Sequence, residues 1–393
     1  MSIDPAQFEA AVANELGVLR IKDEAKRRIA AEGITREKLK ALTLSELDAL
    51  PPANYLVDKL IAKGSLSELI GDSETFKSFF ALGLALSIAT GCKTFFGKAV
   101  VTRGPVLYVA GEGSGGLAKR VHVWARESKV MVDDTTPFHT IVAPLDLRDP
   151  TFQAELQQII ADIKPVLIIV DTLHRCIPGA DENSSRDIGE VVGFATRVQA
   201  SSGSAVMFLH HPPKSDPSGR GRGSGSLYNA ADTSLSSVLE GGEPTDLIRF
   251  VRVSVKKQKD DDKVSFLLRN QIVNVYNKDG SPRANETTGV AITSCVLVEA
   301  TEEELASAAN TKGDHLAQEI VTFLTKNPGQ TKTAIRNGVG CGTKPMNDAL
   351  EQLEVEKRVI RTDVKHNKSW AVEYRIAPPN PAGVDATSGK PQF

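Results

Sequence analysis

Lys77 and Ser78 sit side by side near the end of LSELIGDSETFKSF (66–79), and together they are equipped to hold a phosphorylated ligand. A short apolar strand, Leu66 to Ile70, runs into Gly71, then into a tight polar loop, and then into an apolar helix from Phe79 to Ile88. This is the layout of a phosphate-binding loop. Main-chain N–H groups at the helix start point at phosphate oxygens, and the helix dipole favours negative charge there. In such a loop Lys77 reaches the β- and γ-phosphates and the Ser78 hydroxyl ligates Mg²⁺. One residue departs from the usual G-x-x-x-x-G-K-[ST] pattern, and a second is unfavourable within it. Phe76 stands where the second glycine belongs and restricts the backbone, while Glu74 puts a carboxylate into a loop meant for an anion.

Three further segments carry groups suited to the same chemistry. The run Val166–Val170 ends in Asp171. Placed beside the first strand, Asp171 would sit at the C-terminal edge of a sheet and hold Mg²⁺ through water; the alternative is a turn or N-cap aspartate. The run Leu107–Ala110 leads into Gly111-Glu112-Gly113, where flanking glycines leave Glu112 room to act as a general base on water, or to be a solvated turn residue. The run Phe208-Leu209 ends in His210-His211, of which at most one can report on a γ-phosphate, because neighbours in a strand point opposite ways. Next comes PPKSDPSGRGRGSGS (212–226), with Lys214, Arg220 and Arg222. Such a loop suits phosphate contacts along single-stranded DNA, an arginine finger into a neighbouring subunit, or no role beyond the surface. Lys257 and Lys259 form a second basic cluster, which serves an intersubunit site or a solvated turn.

The elements that must position these groups alternate. Strands are expected at Leu66–Ile70, Val106–Ala110, Val166–Val170 and Ala205–Leu209, with helices at 77–90, 116–128, 151–162 and 186–201 between them. Unbroken apolar strands alternating with helices predict an α/β fold with a buried, mostly parallel sheet flanked by helices. Four later strands, Thr233–Leu239, Leu247–Val255, Val264–Leu268 and Val290–Val298, read as antiparallel additions at one sheet edge. Residues 1–53 read as an N-terminal helical segment with an N-cap at Thr35, residues 54–301 as the core, and residues 302–313 as a linker. Residues 314–377 read as a small domain: helices His315–Lys326, Lys332–Asn337 and Thr343–Glu356, then a hairpin of Val359–Val364 and Ser369–Ile376. Three helices and a hairpin indicate a winged helix-turn-helix, followed by a disordered tail over 378–393.

Composition narrows the class. The net charge of −2 excludes a global basic field, so any nucleic-acid contact must be local. Cys92, Cys176, Cys295 and Cys341 are far apart, which supports neither a zinc site nor a disulfide framework and fits a reducing cytoplasm. No secretory leader and no membrane-spanning run is read in the sequence.

In chain order, these pieces resemble the RecA-fold ATPases of the RepA-type hexameric helicase family. The resemblance runs from about Tyr55 to Val298 and rests on YLVDKLIAKGSLSELIG, GDSETFKSF, ALGLALSIATG, GPVLYVAGEGSGGLAKRVHVW, LIIVDTL, FLHHPPK, GRGSGSL and KKQKD. It implies a RecA-like core whose nucleotide loop comprises Gly71, Asp72, Ser73, Glu74, Thr75, Phe76, Lys77, Ser78 and Phe79. It also implies that Lys77 and Ser78 bind ATP-Mg²⁺, that Glu112 activates water and that Asp171 is the acidic residue of the second nucleotide motif. By the same resemblance His210-His211 is the sensor pair, Arg222 the arginine finger, and Lys257 and Lys259 a basic finger pair. A finger acting in trans requires a head-to-tail homo-oligomer, in that family a ring of six.

The C-terminal module resembles winged-helix DNA-binding domains. Its third helix carries Lys344 and Asn347 and then turns acidic at Glu351, Glu354 and Glu356, a poor face for a major groove. The hairpin offers Arg361, Lys365, His366 and Lys368 to phosphates, or the module docks on a protein. Three activities fit: a DNA-dependent replicative helicase or translocase, a recombination or loader ATPase that does not unwind DNA, and a nucleotide-binding DNA regulator without turnover. A replication or recombination protein is the expected partner beside DNA.

Overall fold

The structure is a computed structural model that describes residues 15–17, 20–21, 41–49, 54–111, 114–143, 145–181, 184–212, 225–242, 246–259, 261–277, 280–366 and 369–377. Of the expected N-terminal helical segment only residues 15–17, 20–21 and 41–49 are described, and the Thr35 cap and the tail lie outside the described residues. So do Glu112, Lys214, Arg220, Arg222 and Lys368. The chain divides into two compact units, residues 1–301 and 302–393. Among the described residues no helix is long and apolar enough to cross a membrane.

In the first unit a short helix α1 (Leu44–Asp48) starts at a capping box between Thr43 and Glu46. A small hairpin, β1 (Tyr55–Val57) and β2 (Ile61–Ala62), precedes β3 (Leu66–Gly71), which leads into α2 (Lys77–Thr90). A second small hairpin, β4 (Thr94–Phe95) and β5 (Lys98–Ala99), follows. Next come β6 (Val106–Ala110), α3 (Ser114–Glu127), β7 (Phe138–Ile141), α4 (Pro150–Ile163) and β8 (Leu167–Asp171). A 3₁₀ turn at Leu173–Cys176 leads to α5 (Ser185–Ser202), β9 (Ala205–His210) and α6 (Gly225–Ala230). Strands β10 (Thr233–Gly241), β11 (Phe250–Gln258), β12 (Ser265–Asn274) and β13 (Thr293–Glu299) close the unit.

Nine strands form one sheet in the order β13-β12-β11-β10-β3-β9-β8-β6-β7. The pairings from β10 through β7 are parallel and those from β10 to β13 are antiparallel; β10, expected among the antiparallel additions, instead runs parallel to β3 and extends the parallel sheet. The strand order corrects a further expectation: β8 is not beside β3, because β9 pairs with both and lies between them. Two more differences have a common cause. β7 was not expected, since its inner two residues are exposed and it is no apolar run. β11 and β13 begin later than expected, because Leu247 (75% exposed), Ile248 and Val290 are apolar residues left outside the sheet.

Period-two alternation sorts the sheet's side chains onto two cores. Leu69, Tyr108, Ile169, Met207 and Leu235 face α2, which is buried on nearly all sides. Leu66, Val109, Val170 and Phe208 face α4 and α5 on the other side.

The second unit has its own core. Ile320 and Leu324 of α7 (Glu302–Lys326), Ile335 of α8 (Lys332–Val339) and Leu350 and Leu353 of α9 (Thr343–Val355) pack with Val359 and Tyr374 of the antiparallel pair β14 (Val359–His366) and β15 (Ser369–Ile376). Residues 302–313, expected as a linker, are the N-terminal half of α7, whose start carries Glu302, Glu303 and Glu304. Three carboxylates in a first turn favour helix, and the Ala-rich stretch behind them continues it.

Candidate nucleotide site

Strand β3 delivers the loop to the C-terminal edge of the parallel sheet, where ligand sites of α/β sheets form. Gly71 is required there by close approach: a Cβ would lie 2.4 Å from Ser237 O and 2.7 Å from Thr75 Oγ1. The loop then ties itself together. Thr75 Oγ1 donates to Asp72 O (2.8 Å), and Ser237 Oγ of β10 donates to Thr75 O (2.6 Å). Phe76 takes the left-handed conformation that the missing glycine would supply, at φ 61°, and Glu74 does the same at φ 65°. Each costs about 1–2 kcal/mol in an L-residue. Packing offsets the strain, for the Phe76 ring is buried and meets Phe79 edge-on at 5.9 Å.

No side chain caps the start of α2, so its first N–H groups remain turned toward the loop. Lys77 Nζ is buried and donates to Gly71 O (2.7 Å) and Asp72 O (2.6 Å). Its charge therefore lies within the loop rather than on the surface. Ser78 Oγ donates to Asp171 Oδ1 at 2.9 Å. This contact survives the intervening β9 because α2 packs across the sheet onto β8 and β6. Asp171 is on the α2 face, 3% exposed, and its other oxygen accepts from the Tyr108 hydroxyl at 2.6 Å. Burial first, then the Asp171 charge and hydrogen bond, push the Tyr108 hydroxyl well above its ordinary pKa, so Tyr108 stays a donor. An ammonium, helix N–H donors, a hydroxyl and a carboxylate on one edge fit a nucleoside triphosphate with a hard, oxygen-liganded cation such as Mg²⁺.

Sequence reasoning missed Tyr108, although a tyrosine in a buried strand must find a partner for its hydroxyl. It also missed Glu68, a lone carboxylate in an apolar strand. Glu68 Oε2 lies 2.9 Å from His210 Nε2, and Oε1 accepts from Ser234 Oγ at 2.6 Å, with all three residues at most 2% exposed. His210, expected as a sensor, thus has Glu68 as its partner, on the sheet face away from α2. The residues beyond Ala110 leave β6 next to Asp171, since Gly111 N donates to Asp171 O (2.7 Å).

The basic pair is elsewhere. Thr233 pairs with Ser67 and with Gln258, whereas Ser237 pairs with Gly71, so Lys257 and Lys259 lie at the opposite end of the strands from the loop. The separation along β10 is about 13 Å at the usual strand rise. Lys257 Nζ donates to Tyr228 O (2.7 Å) and Asn229 O (3.0 Å), and Lys259 pairs with Asp232 at 2.6 Å. Burial, then the Lys259 charge, hold the Lys257 ammonium below its ordinary pKa.

In the second unit, Lys344 is at the start of α9, while Arg361 and Lys365 are exposed on β14. Lys365 Nζ lies 5.9 Å from the centre of the Trp370 ring, which is 70% exposed.

A buried lysine and a serine–aspartate pair under a helix start have the arrangement of a P-loop nucleotide site on a parallel α/β sheet. Residues 35–217 match the profile of a protein family described as an AAA domain. That span takes in the loop, Asp171 and His210, and it supports a P-loop ATPase with nucleotide-hydrolysing activity.

Proposed function

We propose that the protein is a DNA-dependent ATPase that forms a head-to-tail ring and works as a replicative helicase or translocase. The observation that carries this reading is the position of Lys257 and Lys259 at the sheet end opposite the subunit's own loop. A basic pair there cannot serve its own nucleotide, and a heterologous contact would bring it to a neighbour's. Six subunits is the number favoured by the resemblance to RepA-type helicases.

In this mechanism Lys77 and the α2 N–H groups would hold the β- and γ-phosphates, and Ser78, with Asp171 through water, would hold Mg²⁺. When bound, Mg²⁺ neutralises charge on the phosphate oxygens. Tyr108 fixes the Asp171 carboxylate so that one oxygen faces Ser78. Glu112 takes a proton from the attacking water. Arg222, with Lys257 and Lys259, stabilises charge on the neighbour's γ-phosphate. Lys214 and Arg220 contact single-stranded DNA phosphates. The three helices and hairpin of the second unit serve as a winged-helix module, with Lys344, Arg361, Lys365 and Lys368 on DNA. The assembly works in the cytoplasm, alongside replication or recombination proteins.

Mixing variants tests the trans arrangement. Arg222→Ala and Glu112→Gln should each lose ATP turnover, and mixing them should restore part of it, because some interfaces then pair two intact halves. No recovery at any mixing ratio contradicts a finger acting in trans.

A further inference from the structure

Phe76, which replaces the loop's second glycine, and Glu74, the carboxylate inside the loop, are held by one side chain. Arg249, just before β11, places its guanidinium 4.6 Å from the centre of the Phe76 ring and donates from Nη1 to Glu74 Oε2 at 3.1 Å. We propose that Arg249 is a positioning residue of the nucleotide site, acting within its own subunit. It holds the phosphate loop in its anion-receiving shape and keeps the Glu74 carboxylate out of the phosphates' path. The proposal rests on the nucleotide-site reading above.

Arg249 is itself held in place. Its main-chain N–H donates to Asn270 Oδ1 (2.6 Å), and Asn270, 4% exposed, donates from Nδ2 to Leu247 O (2.9 Å). Gly242, at φ 88°, gives it room, for a Cβ there would lie 2.8 Å from Ile248 O and 2.9 Å from Arg249 Cγ. The flat guanidinium can stack on a ring and pair with a carboxylate at once, which an ammonium cannot. An isolated pair to Glu74, whose side chain is 62% exposed, would count for little. Here the ion pair and the ring contact act on the same three-residue segment, in which two residues have positive φ. Arg249 Nε, moreover, is buried without a hydrogen-bond partner among the described residues. The guanidinium is therefore fixed by the loop it restrains and by its own backbone, with one donor unspent at the loop's edge.

The test uses the full chain and a fluorescent ATP analogue. Arg249→Met keeps the stem but removes the charge and the planar fork, and should weaken analogue binding about tenfold. Arg249→Lys should recover only part of that loss. Glu74→Gly in the Arg249→Met background should recover most of it, since glycine accepts the positive φ and brings no carboxylate. Amide exchange over residues 71–76 without nucleotide should be faster in Arg249→Met than in the wild type. This readout stands whether or not ATP is the ligand. Wild-type analogue affinity together with unchanged exchange in Arg249→Met overturns the proposal, as does a binding loss in Arg249→Met that Glu74→Gly leaves intact. Failure of the wild-type protein to bind the analogue, with the exchange difference present, overturns the nucleotide reading and leaves the clamp standing.

Discussion

The two ends of strands β3 and β10 hold cations in opposite ways. At the C-terminal end, Lys77 is buried and bonded to carbonyls of its own loop, next to the serine–aspartate contact. At the other end, Lys259 is 52% exposed and paired with Asp232, while Lys257 rests on the carbonyls that end α6. The first arrangement is pre-organised for a ligand that enters the subunit. The second is a partly solvated edge whose pairings can be exchanged for a ligand on another molecule. In the proposed ring these would be two unlike halves of a phosphate site, too far apart within one chain to close on each other.

The largest break in that comparison comes from Lys77→Ala. ATP turnover should fall at least about a thousandfold with the fold intact by circular dichroism, because the lysine is the only ammonium placed at this loop among the described residues. Normal turnover would refute the site. Lys257→Ala sharpens the contrast: turnover should fall about a hundredfold while ATP-analogue affinity stays within about twofold, as expected of a group that serves another subunit. A matching loss of affinity would mean that Lys257 holds bound nucleotide as well as the transition state. Tyr108→Phe should have the smallest effect, about tenfold on turnover, since it removes one hydrogen bond to Asp171 and leaves the carboxylate's contact with Ser78. An unchanged rate would show that the Tyr108 hydrogen bond is not needed to orient Asp171.

The parallel core was legible because its strands are apolar runs buried on both faces. Val106–Ala110 has the bounds expected of it, and α2 spans exactly the residues foreseen. The loop was legible from Gly71, Lys77 and Ser78. Strand order was not, since nothing local in β8 or β9 says which lies beside β3. The roles of Glu74 and Phe76 were equally hidden. As sequence they are two defects in a phosphate loop, and their complement, Arg249, lies 173 residues beyond Phe76. Tyr108 and Glu68 were lost among apolar neighbours because their partners sit on other strands, at Asp171 and at His210 and Ser234. The hairpins β1–β2 and β4–β5 escaped notice because strands of two or three residues carry no readable period.

Steady-state ATP hydrolysis by the purified full chain, with and without single-stranded DNA, tests the central claim most directly. The account predicts Mg²⁺-dependent turnover that single strands stimulate and that Lys77→Ala abolishes. ATP binding without turnover under both conditions would contradict it, and would mean that the loop carrying Glu74 and Phe76 binds nucleotide but does not hydrolyse it.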